Sequence, residues 1–208
     1  MRKSVIAVAA ATALVVGGVV YWAVGAPSSD DGTAAVAADR VCAQLGPGER
    51  AAKTLNEVLP GRGAYRFEAE TAERRVRKSD GYATACRIQD GDKRLVLVAH
   101  TEMVATEPVA GWFSTVRARD YPDGQIRNFG PADTGRSSGR AAAILVPCAP
   151  TNQSPEGARS LGVTVRLPAG VRPKDTEEAR KAAQDLALAM ARQSHRDADC
   201  DVPAGLPS

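Results

Sequence analysis

The chain has 208 residues, of which 44% are hydrophobic and 25% charged, as in ordinary globular proteins. Its formal net charge is +3, and Arg2 and Lys3, which precede an apolar segment, supply two of these charges, so the rest is almost neutral. This balance lacks the basic footprint of a nucleic-acid-binding protein.

The first segment is apolar and long. Val5 to Ala26 is a run of 22 residues without a charge. A membrane-spanning helix needs about 20 apolar residues, whereas the apolar part of a secretory signal has about 7–15. Arg2 and Lys3 favour a cytoplasmic N-terminus. The sequence therefore predicts a single-pass anchor over residues 1–26, with the rest of the chain outside the cell membrane.

A cleaved signal is the alternative for the same segment. Val24-Gly25-Ala26 is an acceptable small-residue cleavage site, although Pro27 follows and should hinder processing there. Cleavage would make the domain secreted rather than anchored. In either case residues 27–38 are predicted to be a flexible linker and residues 39–208 an extracytoplasmic domain.

The first elements of that domain are predicted to be helical. The pattern is helical from Ala34 to Leu45, and a second helix runs from Glu49 to Leu59. The period then changes to two, because Tyr65, Phe67 and Ala69 alternate with charged residues in a half-buried strand.

A hairpin follows. Its first strand has Tyr82, Thr84, Cys86 and Ile88 on one face, and Asp90-Gly91-Asp92 forms the turn. The second strand runs from Arg94 to Met103, and its Leu-Val-Leu-Val-Ala centre is typical of a strand buried on both faces.

The second half of the domain is predicted in five further segments. The first is a helix beginning at Thr106-Glu107-Pro108, with Trp112, Phe113 and Val116 packed beneath it. A long loop from Tyr121 to Gly139 follows, and then two strands over Ala141–Cys148 and Leu161–Leu167. The last helix is opened by Asp175, and its apolar stripe consists of Ala179, Ala183, Leu186 and Met190. A strand remains the alternative to the first of these helices. Hairpin-connected strands with helices at both ends predict an α+β fold, in which an antiparallel sheet carries helices on one face.

Four cysteines, Cys42, Cys86, Cys148 and Cys200, lie on the exported side. An even number in an extracytoplasmic chain indicates two disulfides, for which three pairings are possible. We favour Cys42–Cys86 and Cys148–Cys200, since each would join a helix or its end to a nearby strand. The spacing contains no CxxC and no Cys/His cluster, which argues against zinc and against a thioredoxin-type site.

One motif has the pattern of a serine-hydrolase nucleophile. Gly135 to Gly139 matches G-x-S-x-G around Ser137, and His195 and Asp185 could nominally complete a triad. In hydrolases the motif follows a strand and opens a helix, whereas here a predicted loop precedes it and a strand follows. A flexible loop is the favoured interpretation.

Two polar groups have spacings that metal or base sites use. His100 and Glu102 share one face of a strand, but a third ligand has no evident source. Asp197, Asp199 and Asp201 alternate as in calcium loops, yet they lack the turn glycine and the distal glutamate. We expect neither a metal nor a cofactor.

One basic cluster interrupts the otherwise mixed charge. It consists of Arg74, Arg75, Arg77 and Lys78, with Glu68, Glu70 and Glu73 nearby. Such a cluster can meet anionic lipids or teichoic-type polymers. Because the glutamates offset its charge, a solvated strand edge is the favoured interpretation.

A resemblance adds to these observations. The block Val146-Pro147-Cys148, then Leu161 to Val165, then an Ala-rich helix and Cys200, resembles small uncharacterised envelope proteins of high-GC actinobacteria of the streptomycete type. The resemblance implies a membrane-anchored or secreted envelope protein with two disulfides, and it implies no activity.

The function expected from the sequence is therefore binding rather than catalysis. We expect a membrane-anchored domain that binds another envelope protein or polymer and is not an enzyme, since no catalytic constellation is recognised. The alternatives are a secreted small-ligand binding protein, which would need an apolar pocket of a few hundred Å³, and a serine hydrolase built on Ser137.

Overall fold

A computed structural model describes residues 35–59, 64–71, 81–106, 108–120, 126–149, 157–168, 171 and 176–207. The predicted membrane segment, Val5 to Ala26, lies outside these residues. Within the described ranges, no helix is both long and apolar enough to cross a membrane.

The described residues form an antiparallel sheet of seven strands with three α-helices. The helices are α1 (Gly48–Val58), α2 (Val109–Asp120) and α3 (Thr176–Asp197), and the strands are β1 (Arg66–Thr71), β2 (Ala83–Gln89), β3 (Leu95–Ala105), β4 (Arg127–Phe129), β5 (Gly135–Ser138), β6 (Ala141–Ala149) and β7 (Arg159–Arg166). Their order across the sheet is β1-β2-β3-β7-β6-β5-β4, and every neighbouring pair is antiparallel. The predicted α+β class and antiparallel sheet are confirmed.

The helices cover both faces of this sheet, so the prediction that they share one face is wrong. Along β6, Ala142, Ile144 and Val146 belong to the core beneath α1 and α3, whereas Ala141, Ala143 and Leu145 pack with Trp112, Phe113 and Val116 of α2. Successive side chains of a strand point to opposite faces. A strand that is apolar at every position therefore needs a cover on each side, and α2 supplies the second one.

The face under α3 holds the larger core. The predicted apolar stripe of α3 is buried, with Leu186 1% and Met190 0% exposed. Helix α1 packs against α3, and Leu55 of α1 is 0% exposed in the same core. Within it the Ser194 hydroxyl donates to Thr101 Oγ1 at 3.0 Å, which satisfies a polar group between α3 and β3.

Two disulfides cross-link separate segments of the domain. Cys42 is bonded to Cys86 of β2, and Cys148 of β6 is bonded to Cys200 in the segment after α3. These are the pairs favoured from the sequence. Because disulfides persist in oxidising compartments, the two bonds indicate an extracytoplasmic domain.

The helix predicted from Ala34 to Leu45 is absent from the described part of that range. Two short 3₁₀ turns, Ala38–Arg40 and Ala43–Leu45, stand in its place, because Val41 and Cys42 between them are extended, with ψ of 139° and 129°. Val36 is buried and exchanges two hydrogen bonds with Asn56, at 2.7 and 3.3 Å. The packed domain thus includes the end of the segment predicted to be a linker.

The long loop predicted over Tyr121–Gly139 is also wrong, since its described part contains β4, a 3₁₀ turn over Pro131–Asp133, and β5. Gly130 and Gly135 in this part serve the packing of strands rather than flexibility. Gly130 has φ +78°, and a Cβ on Gly135 would lie 2.6 Å from Phe129 Cε1. Only glycine allows this turn and this close approach. The other predicted helices and strands are confirmed within a few residues of their ends, and the Thr106–Pro108 region leads into a helix, not a strand.

Candidate functional site

Ser137, the centre of the G-x-S-x-G motif, is a buried residue of β5. It is 0% exposed, and its hydroxyl accepts a hydrogen bond from Gln184 Nε2 at 2.7 Å while donating to the Arg127 carbonyl at 3.4 Å. A hydrolase serine instead stands exposed on a turn between a strand and a helix. Here the side chain links the sheet to α3.

His195 and Asp185 do not complete a triad with this serine. On α3 the contact of Ser137 is Gln184. His195 lies eleven residues beyond Gln184, a separation of about 16 Å along a helix axis. Its Nε2 is 2.8 Å from the Val202 carbonyl oxygen. The Asp185 carboxylate accepts a hydrogen bond from Lys181 Nζ at 2.5 Å, and this bond raises the pKa of Lys181.

His100 and Glu102 lie on the same face of β3, as predicted, and both are half-buried. Their cross-strand neighbours are Ala85 and Thr164 for His100, and Ala83 and Gly162 for Glu102. None of these four neighbours is a metal ligand of the His, Cys or acidic type. Among the described residues, no group of three such ligands comes together anywhere.

The three aspartates predicted as a weak calcium pattern flank the second disulfide. Gln193 Nε2 donates to Asp197 Oδ1 at 2.9 Å, Asp199 has φ +53°, and the Asp201 amide donates to the Cys148 carbonyl at 2.8 Å. Their backbone thus forms the turn that closes the domain after α3.

The basic cluster of Arg74, Arg75, Arg77 and Lys78 lies outside the described residues. Of the glutamates near it, Glu70 is paired with Arg87 and Glu68 accepts a hydrogen bond from Gln89 at 3.2 Å. Both glutamates of β1 therefore have partners on β2.

Among the clefts on the described part of the domain, two are open and lined by side chains from several elements. The first, which we call the apolar groove, has a volume of about 480 Å³ and lies between α3, the turn after β4, and the C-terminal segment. It is lined mainly by Phe129, Pro131, Leu188, Leu206 and Pro207. Arg192 donates hydrogen bonds to the Pro207 carbonyl and so holds one wall of the groove in place.

The second cleft, which we call the basic cleft, is the candidate functional site. It has a volume of about 490 Å³ and lies at the end of the sheet where β1 begins and the β2–β3 turn passes. Arg40, Arg66 and Lys93 line it from three separate parts of the chain, and all three are exposed. Tyr65 and Phe67 form its apolar wall.

The charge in the basic cleft is mostly uncompensated. Its carboxylate, Asp90, already accepts hydrogen bonds from the Asp92 and Arg94 amides and from Arg94 Nε, at 3.0, 2.9 and 2.8 Å. The Arg94 side-chain bond, above all, lowers the pKa of Asp90, which therefore stays ionised and paired. Among described groups, no carboxylate forms an ion pair with any of the three cations.

Sequence reasoning did not single out Arg40, Arg66 or Lys93. Each lies among neighbours of mixed charge, and the three are separated by 26 or more positions. The turn signal at Asp90-Gly91-Asp92 located one of the three segments, but no periodicity indicates that the other two lie beside it.

No family model, curated protein or solved structure matches this chain. The resemblance to actinobacterial envelope proteins therefore stays a prediction, and the function is argued from the site.

Proposed function

We propose that this chain is a membrane-tethered, extracytoplasmic binding domain that recognises an anionic component of the cell envelope and catalyses no reaction. The observation that carries the proposal is the basic cleft, which Arg40, Arg66 and Lys93 all line and where none of the three forms an ion pair with a carboxylate of the described residues. Cations gathered at one open surface attract an anionic partner and raise its rate of association.

The shape of the cleft favours a large partner over an enclosed small ligand. Sites for small molecules bury most of the surface of the ligand, whereas this cleft is broadly open to solvent. An open site suits an exposed group of a polymer, a lipid or another protein. The burial of the Ser137 hydroxyl beneath α3 supports binding rather than hydrolysis as the role.

The proposal of a tether is based on the sequence, and the disulfides agree with an orientation in which the domain lies outside the cytoplasm. Val5 to Ala26 is long enough to span the bilayer, and Arg2 and Lys3 keep the N-terminus inside. The domain then lies in the oxidising compartment in which its two disulfides persist.

The tether is tested by intact mass without reduction, on protein from membranes and from the medium. We expect a full-length species in the membranes that is four hydrogen atoms lighter than the reduced chain, since each disulfide removes two. A shortened species in the medium would instead show that the segment is a cleaved signal.

Binding through the basic cleft is tested by photo-crosslinking in cells. A photoreactive residue at Ala64, which is exposed in the cleft, should give adducts with the partner. The matched control is Ala110, exposed on α2 away from the cleft. Adducts from Ala64 should diminish when Arg40→Gln and Lys93→Gln are combined. Equal adducts from both positions, or adducts that persist in the double variant, would contradict the proposal.

A second candidate function is favoured by the apolar groove. Its lining is mainly apolar and its volume is about 480 Å³, so this groove, which is as open as the basic cleft, suits a carrier that holds the apolar part of a small molecule. Displacement of an apolar fluorescent dye tests this role. Binding that Leu188→Asp abolishes and Arg66→Gln leaves unchanged would support it over the basic cleft.

A further inference from the structure

The basic cleft has the composition of a phosphate site, and we propose that the group it recognises is a phosphate monoester. This inference rests on the proposed function and names the chemistry of the ligand. It depends on the number of cations that line the site, on the type of each cation, and on how the nearby carboxylate of Asp90 is bound.

The number of positive charges favours phosphate over carboxylate. A carboxylate carries one charge and two oxygens, which a single arginine fork can satisfy. At the edge of the cleft Asp90 is satisfied with a single cation, because Arg94 contacts its Oδ2 and the Asp92 and Arg94 amides donate to its Oδ1. A carboxylate ligand would leave two of the three cations without a counter-charge. A phosphate monoester, with about −1.5 to −2 charges and three terminal oxygens, matches all three.

The types of cation also favour phosphate over carboxylate. Arg40 and Arg66 offer two planar forks that bind pairs of oxygens, and Lys93 offers a compact ammonium group that can turn to the third oxygen. Lys93 has φ +62°, in the tight turn where its amide donates to the Asp90 carbonyl at 2.9 Å. Its Cα is thus fixed by the turn, although its side chain is exposed.

The remainder of the ligand has an apolar surface to contact. Tyr65 and Phe67 flank Arg66 in the chain, and all three residues line the cleft. A glycerol, sugar or acyl group attached to the phosphate can pack against these rings. The site therefore fits an organic monoester better than free phosphate.

The test is calorimetric titration of the full chain in micelles of an uncharged detergent. Glycerol phosphate, inorganic phosphate and acetate are added separately at equal ionic strength. We expect glycerol phosphate to bind at least tenfold more tightly than acetate, with inorganic phosphate between them. Acetate binding as tightly as glycerol phosphate would overturn the inference.

Matched variants locate the site. Arg66→Gln and Lys93→Gln should each weaken glycerol phosphate binding about tenfold, the effect of losing one charge-assisted hydrogen bond. Arg66→Lys, which keeps the charge but loses the fork, should fall between. Lys53→Gln, on the exposed face of α1, should leave the affinity unchanged. An equal loss in Lys53→Gln would mean nonspecific charge attraction and overturn the site.

The source of the phosphate is distinguished by adding short-chain phosphatidic acid or phosphatidylcholine to the micelles. Tighter binding of phosphatidic acid than of glycerol phosphate identifies a lipid headgroup, and equal binding identifies a soluble or polymer-borne ester. If no phosphate binds while Ala64 still yields cleft-dependent adducts, this inference fails and the proposed function stands. If no phosphate binds and the Ala64 adducts persist when Arg40→Gln and Lys93→Gln are combined, both the inference and the proposed function fail.

Discussion

The two faces of the sheet are covered in different ways. On one face α3 contacts β3, β5, β6 and β7, α1 packs on α3, and the Cys42–Cys86 disulfide belongs to the core on this side. On the other, α2 contacts β6 through a small cluster built on Trp112. The ring of Trp112 lies against Gly162 of β7, where a Cβ would come within 2.8 Å of it.

This difference indicates where the stability of the domain resides. The α3 face buries many aliphatic side chains, and the Cys42–Cys86 disulfide joins two segments of its core, so its opening should require global unfolding. The α2 face buries fewer residues and depends on one aromatic ring over a glycine, so it should open locally at a lower free energy. The following predictions test this contrast, beginning with the largest effect.

The largest effect should come from removing a disulfide of the α3 face. Replacing both Cys42 and Cys86 by Ala should lower the free energy of unfolding by about 4 kcal/mol in the chain-entropy model, because the bond closes a long loop in the unfolded chain. Removing Cys148–Cys200 should cost nearly the same, since the sequence separations are 44 and 52. Urea unfolding followed by circular dichroism measures both. A loss below 1 kcal/mol in either variant would contradict the prediction.

Truncation within the α3 face should be nearly as damaging. Leu186→Ala should cost about 3 kcal/mol, because Leu186 is 1% exposed and the cavity cannot collapse between α3 and the sheet. Leu188→Ala is the matched control on the same helix, half-buried at the apolar groove, and should cost about 1 kcal/mol. Equal losses in the two variants would show that the contrast in burial does not set the stability.

Overpacking the α2 face should have a smaller effect. Gly162→Ala places a methyl group against the Trp112 ring and should cost about 2 kcal/mol. Trp112→Phe should recover part of this loss in the double variant, since the smaller ring leaves room for the methyl group. Hydrogen exchange should show faster opening of α2 with α3 unchanged. Equal acceleration in both helices would mean that the two faces open together.

The smallest effect should occur at the β2–β3 turn, which belongs to neither apolar cluster. Hydrogen bonding by Arg94 lowers the pKa of Asp90 below its ordinary 3.8. The stabilisation is therefore fully present above pH 3.8 and is lost as the pH falls through the lower pKa of the folded state. Carboxyl NMR titration should find a midpoint below 3.8 that rises in Arg94→Gln. An unchanged midpoint in that variant would contradict the assignment.

The strands were predictable because their patterns are local. Tyr65, Phe67 and Ala69 alternate with charged residues, and the Asp90-Gly91-Asp92 turn fixes the hairpin that follows. The last helix was equally evident from its stripe, including Leu186 and Met190. The prediction failed over Ala34–Leu45, where Val41 and Cys42 are extended, and over the Tyr121–Gly139 segment, in which glycine has a packing role. Gly130 and Gly135 indicated a loop, although the structure uses them for a turn and for contact with Phe129.

The sequence by itself determined the α+β class, the hairpin, the four cysteines as two disulfides, and the apolar run that predicts the tether. These features depend on neighbouring residues or on composition. Only the tertiary structure decided that α2 lies opposite α3, because strands apolar on both faces do not specify which helix covers which face. Only the tertiary structure brought Arg40, Arg66 and Lys93 to one cleft, since strand pairing places Arg66 near the turn of Lys93 and no local pattern joins Arg40 to either.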